Sequence, residues 1–370
     1  MTRSSNTGDT PVPGGTPVPD VDVVCLGESM VTFLPNLPGR LADVPSFDRA
    51  IGGAESNVAC TLARTGHSAR WISRVGADGF GDHLLAAIAD CGVDVSHVRR
   101  DPLRPTGIYF RTAGDRATDT HEVAYYRAGS AASAMTAADM DLPAIRSGRV
   151  LHLSGITAAL SEDCLGLMRE LTARRPGRPL LSFDVNYRPG LWRDRARAGA
   201  LLELARGADL VFVGDDEARD AWGLYDARAI SEALPEPDVL VVKQGKAGTT
   251  VFQRTTATGE RRDDAAGTAT FVPSLNVDLV AATGAGDAFA AGFLSATLRG
   301  LPVRTRIRHG HLWAAAALTV PGDLATPPAR AHADRLADLD DAAWGRLHLG
   351  PGWTEAEASG RRAGEEVRTR

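Results

Sequence analysis

The sequence predicts an α/β fold: a central, mostly parallel sheet between two layers of helices, with a small β lid beside it. Three observations carry this. Short apolar runs recur along the chain, helix-length segments with Arg-rich outer faces lie between them, and one region breaks that rhythm with a long hairpin pattern.

The runs V-D-V-V-C-L-G (21–27), V-L-H-L-S (150–154), L-L-S-F-D (180–184), D-L-V-F-V (209–213) and V-L-V-V-K (239–243) read as strands buried on both faces. Segments 162–174 and 193–206 have helix length, and strand, helix and strand in succession call for right-handed crossovers. The stretch P-T-G-I-Y-F-R-T-A-G-D-R-A-T-D-T-H-E-V-A-Y-Y-R (105–127) has two β-rich arms around a polar turn. S-M-V-T-F-L-P (29–35) is a pairing partner for it, and an arm projecting beside a ligand cleft serves as a lid that closes and excludes water. The lid then spans about 29–49 and 103–128 within a main domain of 21–328. Residues 1–20 lack the apolar middle of a signal peptide and read as a flexible tail. Residues 329–370, rich in Arg, Asp, Glu and Ala, read as an appendage, partly helical and partly disordered, with Trp344 and Trp353 as isolated anchors.

A chain of 370 residues with 44% hydrophobic content buries enough apolar surface for one large domain. Lys and Arg number 41 against 46 Asp and Glu, a net charge of -5, and without a basic block this argues against a nucleic-acid partner. Cys25, Cys60, Cys91 and Cys164 lie far apart with no C-x-x-C pair, the pattern of reduced, buried thiols in a cytoplasmic protein. No apolar run approaches the ~20 residues of a membrane span.

The chemistry centres on T-G-A-G-D-A-F-A-A-G (283–292), which opens an apolar helix. Gly284 and Gly286 let the backbone approach a bound group, and the free amides of Gly284, Ala285, Gly286 and Asp287, with the helix dipole, favour negative charge. Asp287 reads either as a residue that complements the dipole or as a general base, a role worth ~10²–10⁴-fold in rate. A dinucleotide fingerprint fails because Phe289 stands where its third glycine belongs, and no G-x-x-x-x-G-K-[ST] string occurs.

I-G-G-A-E-S-N-V-A (51–59) and T-G-A-G-D-A-F (283–289), in that order, resemble the two signatures of the ribokinase-like (PfkB-type) carbohydrate kinase family. The resemblance covers about 21–328 and implies a three-layer α/β/α domain that uses ATP and Mg²⁺ to phosphorylate a sugar hydroxyl, with Asp287 as base. It also implies that Gly52, Gly53 and Asn57 face the sugar hydroxyls. Y-Y-R-A-G-S-A-A-S (125–133), L-H-L-S-G-I-T-A-A-L-S (151–161), F-D-V-N-Y-R-P-G-L-W (183–192) and P-G-D-L-A-T-P-P (321–328) are most similar to members that act on the sugar acid 2-keto-3-deoxygluconate. They imply a pocket of Tyr109, Tyr125, Arg127, Ile156, Arg188 and Asp323, in which arginine grips a planar carboxylate with two parallel hydrogen bonds.

On the nucleotide side, V-V-K-Q-G-K-A-G-T (241–249) resembles the family's ATP loop, which implies roles for Lys243, Gly245, Lys246 and Gly248. Asn186 would face the phosphates, and helix 308–318 would cover the adenine; its H-x-H pair lacks the spacing and third ligand of a metal site. G-D-D-E (214–217) keeps Glu217, which by resemblance orders magnesium through water, but has Gly214 where the family has Asn. Ala281 stands where many relatives carry an aspartate near a monovalent-cation site, so potassium activation is not carried over. The rival readings are a kinase of a neutral sugar such as fructose or ribose, and a non-catalytic sugar-sensing protein. A lid with one apolar face also suggests a homo-oligomer formed through it.

Overall fold

The computed structural model describes residues 19–37, 39–112, 122–192, 198–255 and 267–355. The expected N-terminal tail up to residue 18, the hairpin tip 113–121, the helix start 193–197 and the tail 356–370 lie outside the described residues.

The chain enters through β1 (Val21–Leu26), leaves into β2 (Met30–Pro35) and β3 (Phe47–Gly52), and returns through α1 (Ala54–Arg64) to β4 (Ala69–Ile72). Two short strands, β5 (Arg74–Gly76) and β6 (Arg99–Asp101), bracket α2 (Gly79–Ala89), after which β7 (Ile108–Arg111) and β8 (Val123–Tyr126) rejoin the β2–β3 unit. Helices α3 (Leu142–Ile145), α4 (Gly155–Ala159), α5 (Glu162–Thr172) and α6 (Gly199–Gly207) then alternate with β9 (Gly148–Ser154), β10 (Leu180–Asp184) and β11 (Leu210–Gly214). Helices α7 (Asp215–Trp222) and α8 (Ala227–Ala233) lead to β12 (Val239–Lys243), β13 (Gly248–Gln253), β14 (Thr268–Pro273) and β15 (Asn276–Val277). The described chain closes with α9 (Ala285–Leu298), α10 (Val303–Leu318), α11 (Arg330–Ala337), α12 (Asp341–Arg346) and β16 (His348–Leu349).

Eight strands form the central sheet in the order β14-β13-β12-β11-β10-β9-β1-β4. All pair in parallel from β4 to β12, and β13 and β14 add an antiparallel edge. The five apolar runs of the sequence are the middle of this sheet. Strand β13, G-T-T-V-F-Q, was hidden because only Val251 and Phe252 are apolar in it, although it pairs with β12 on one side and β14 on the other. Alternation along β1 shows why both faces are covered. Val23 and Cys25 join a core with α1, α9 and α10, whereas Val24 and Leu26 join a second core with α5 and α6.

The small sheet has the order β3-β2-β7-β8, with β2 and β7 parallel and the other pairs antiparallel. One face carries Thr32, Tyr109 and Tyr125 in register; the other carries Phe33 and Phe110, whose rings stack 4.7 Å apart. The sequence expectation for 329 onward needs correction as far as residue 355. Trp344 and Trp353 are not isolated anchors but members of the first core, and β16 pairs with β15. The Arg308 guanidinium lies 4.7 Å over the Trp344 ring, whose indole N–H donates to the Pro273 carbonyl at 3.2 Å. Removing such an indole costs about 3–5 kcal/mol, so this segment is part of the body.

All four cysteines are buried and free. Among the described residues no helix is long and apolar enough to cross a membrane.

Candidate active site

The parallel strands all end on one edge of the central sheet, and in such sheets ligands collect outside those carboxyl ends. Asp184 closes β10, Gly214 closes β11 and Lys243 closes β12, while the N-terminus of α9 faces the same crevice. Gly284 is the N-cap of α9, with φ 78° and ψ -7° in the left-handed region. A Cβ there would collide with the main-chain carbonyl of Asp323, so only glycine fits. Gly286 is exposed, and its missing side chain leaves room beside the Lys243 ammonium.

Asp287 is the third residue of α9 and partly exposed to the crevice. The Asn57 side-chain amide donates to its Oδ2 at 2.9 Å. Asn57 is itself fixed by α1, where its N–H donates to the Gly53 carbonyl at 2.8 Å, and α1 packs on α9. Burial pushes the Asp287 carboxyl up to about 7, against the opposing Asn57 hydrogen bond; the negative Asp184 adds to the rise, and Arg188 and Lys243 oppose it. A carboxylate of that basicity suits proton abstraction near neutral pH.

Beside it, the Lys243 ammonium donates to both Asp184 oxygens, at 3.1 and 3.2 Å. Burial works against this ammonium, but the Asp184 and Glu217 carboxylates outweigh it and raise its pKa. Glu217 caps its own helix by accepting the Gly214 N–H at 2.7 Å, and burial raises its pKa while Lys243 opposes the rise. Asn186 is buried with φ 39°, and its Oδ1 has no hydrogen-bond partner among the described residues. Gly245 and Lys246 lie in the turn between antiparallel β12 and β13, and Gly248 begins β13.

The opposite wall is the small sheet. The Tyr109 hydroxyl donates to Asp323 Oδ2, and the Arg111 Nη2 donates to Asp323 Oδ1 at 2.8 Å. Gly52 ends β3 against this group, and a Cβ on it would strike Tyr109 and Asp323. Gly53 passes equally close to the Glu28 and Ser29 backbone. Burial, then the Asp323 carboxylate, push the Tyr109 phenol far up, so it stays a neutral donor. Arg127 forms an ion pair with Glu28, which also accepts from the Ser130 hydroxyl at 2.6 Å. Its guanidinium lies 5.7 Å from the centre of the Tyr125 ring, which in turn sits 5.4 Å from the Tyr109 ring. Ile156 stands in the first turn of α4, capped by Ser154.

The structure thus brings together Gly52, Tyr109 and Asp323, then Asn57 and Asp287, and then Gly286 and Lys243. The Arg188 guanidinium is half exposed, lies 3.5 Å from Glu217 and acts by charge on Asp287. His309 and His311 of α10 point to different partners, Asp334 at 3.1 Å and the Val272 carbonyl at 3.3 Å.

Sequence reasoning passed over Asp184, Glu28 and Arg111. A signal existed for each: Asp184 and Glu28 are acids at the ends of buried strands, and Arg111 shares a strand face with Tyr109 two residues earlier. Asp184, Glu217 and the free Asn186 Oδ1 are oxygen donors of the kind Mg²⁺ takes. Among the described residues no three His, Cys, Asp or Glu side chains form a cage for a metal ion.

The model of the pfkB family of carbohydrate kinases matches residues 20–330. The chain is 35% identical to the 2-dehydro-3-deoxygluconokinase of Bacillus subtilis, over 84% of this chain and 93% of the relative. Among solved structures, a PfkB protein from Polaromonas sp. is 34% identical with a TM-score of 0.72, covering 85% of this chain and 99% of the other. An uncharacterized sugar kinase from Pyrococcus horikoshii, solved in complex with ATP, is 25% identical with a TM-score of 0.71, covering 88% of this chain and all of the other, 100%.

Proposed function

This chain belongs to the pfkB family of carbohydrate kinases, and on that premise we propose that it phosphorylates the terminal hydroxyl of 2-keto-3-deoxygluconate with ATP. The product is 2-keto-3-deoxy-6-phosphogluconate. The observation that carries this reading is the Asp287 carboxylate, set in the first turn of α9 beside the Gly284 N-cap and held by the Asn57 amide at 2.9 Å.

Asp287 takes the proton of the acceptor hydroxyl, and the oxygen then attacks the γ-phosphorus in line while the bond to the ADP oxygen breaks. The amides from Gly284 to Asp287 hold the migrating group's charge where it develops, with Lys243 adding a cation alongside. Asn57 fixes the orientation of the base. Asp184, Glu217 and Asn186 would hold Mg²⁺, which when bound neutralises phosphate charge. The hairpin loop of Gly245, Lys246 and Gly248 borders the nucleotide.

Gly52, Gly53, Tyr109, Tyr125 and Ile156 line the acceptor side, with the small sheet as lid. The substrate carboxylate falls to Arg127, whose pairing with Glu28 fixes the guanidinium while leaving further N–H donors for a ligand. Arg188, set near Glu217, contributes positive charge between the two sides. The name of the Bacillus subtilis relative supports the sugar acid over a neutral sugar.

The test is a coupled ADP-release assay over sugar acids and neutral sugars. Turnover of 2-keto-3-deoxygluconate at a kcat/KM well above that for fructose or ribose is expected. A preference for a neutral sugar would move the assignment to that substrate, and no ADP release with any acceptor would leave a sugar-sensing protein.

A further inference from the structure

We infer that Arg111 is a positioning residue, which ties the small sheet to the N-terminus of α9 through Asp323. The inference rests on reading the Gly284–Asp287 amides as the phosphoryl site.

Tyr109 and Arg111 alternate on β7 and so share one face of the strand. Between them they occupy both oxygens of the Asp323 carboxylate. The main chain of the same aspartate closes on α9: its carbonyl fills the space where any side chain at 284 would lie. One residue therefore has its carboxylate anchored in the small sheet and its carbonyl packed on the N-cap of the proposed phosphoryl site. The neighbouring Gly322, at φ 100°, lets the segment make the turn that allows both contacts.

Charge makes Arg111 the decisive half of this link. The side chains of Arg111 and Asp323 are only 10% and 5% exposed. Removing the guanidinium leaves a buried carboxylate with a neutral phenol as its remaining side-chain partner, and an uncompensated buried charge is strongly unfavourable. The segment around 323 must then move toward water, and the carbonyl that shapes Gly284 moves with it. Phosphoryl transfer would suffer through geometry, without any contact between Arg111 and the reacting atoms.

The experiment compares Arg111→Met, Arg111→Lys and the double variant Arg111→Met/Asp323→Asn with the wild type. Kinetics use whichever acceptor the wild type turns over, and amide hydrogen exchange is followed in the protein without ligands. Arg111→Met is expected to lower kcat by about 10²-fold while changing the KM for ATP by no more than about threefold. It is also expected to speed exchange at 284–288, beyond any change in the small sheet. Arg111→Lys should recover most of both losses, because it restores the cation. The double variant should be no worse than Arg111→Met, since it removes the stranded charge as well. Faster exchange confined to 105–112, an unchanged kcat, or losses that multiply in the double variant would each overturn the inference. If Arg111→Met does not fold, Arg111→Lys and Asp323→Asn decide by the same exchange at 284–288. Failure of the wild type to phosphorylate any acceptor would instead count against the proposed function, and the exchange result stands apart from it.

Discussion

At the N-terminus of α9 the crevice is walled by main chain, whereas across from it, on the small sheet, Tyr109, Arg111 and Arg127 present side chains already bound to carboxylates. The first wall gets its charge preference from amides and a helix dipole, so it depends on glycine conformation and hardly on side-chain identity. The second depends on who is paired with whom. A substitution there both removes a group and strands its partner, so its effects spread.

The sharpest way to break this comparison is at the one carboxylate of the main-chain wall. Asp287→Asn should lower kcat by about 10²–10⁴-fold and leave the KM for ATP within a few-fold, read by steady-state kinetics. If the loss fell on KM with kcat preserved, Asp287 would belong to binding and not to proton transfer. Next is Gly284→Ala, whose new Cβ meets the Asp323 carbonyl in a left-handed conformation. Loss of about 10²–10³-fold in kcat is expected, together with about 1–2 kcal/mol of stability in urea denaturation.

On the side-chain wall, Arg127→Met should raise the KM for the sugar acid by about 10–100-fold with little change for a neutral sugar. Adding Glu28→Gln to it should restore thermal stability, because it neutralises the stranded acid, while the high KM remains. Recovery of KM as well would show that Arg127 acts only as a partner of Glu28.

The smallest effect concerns pH. The Asp287 carboxyl is raised to about 7 from the ordinary 3.8, so the folded protein holds that proton more tightly than the unfolded chain does. Its ionisation therefore costs stability progressively as pH rises from about 4 to 7, and fully above. Asp287→Asn should raise Tm by about 2 °C at pH 8 and leave it unchanged near pH 3. For the wild type, kcat/KM should climb with unit slope below about 7 and then level off. A profile flat down to pH 5 would mean that the base titrates elsewhere.

The contrast between the walls also sets what could be read from the sequence. T-G-A-G-D-A-F carries its geometry in consecutive residues, and the buried parallel strands carry theirs in unbroken apolar runs, so the fold and one end of the crevice were legible. Arg111 and Asp323 meet across 212 positions, and nothing local marks either as the other's partner. Arg188 is different: its place at the carboxyl end of a buried strand marks it for the crevice, and the turn after β10 sets its guanidinium 3.5 Å from Glu217, near enough to act on the Asp287 carboxyl. Trp344 and Trp353 were misjudged because charged residues surround them in sequence, while burial is decided by what lies across space.

Those two indoles bear on how the molecule could be divided. A border drawn after Pro328, where the sugar-kinase motifs run out, would slice through the hydrophobic interior and not between units. Grafting this trunk onto a relative's C-terminal segment would import a foreign plug beneath α10. Such chimaeras should succeed only when the exchange moves beyond residue 353, taking the Arg308–Trp344 stack and the β15–β16 pairing along intact.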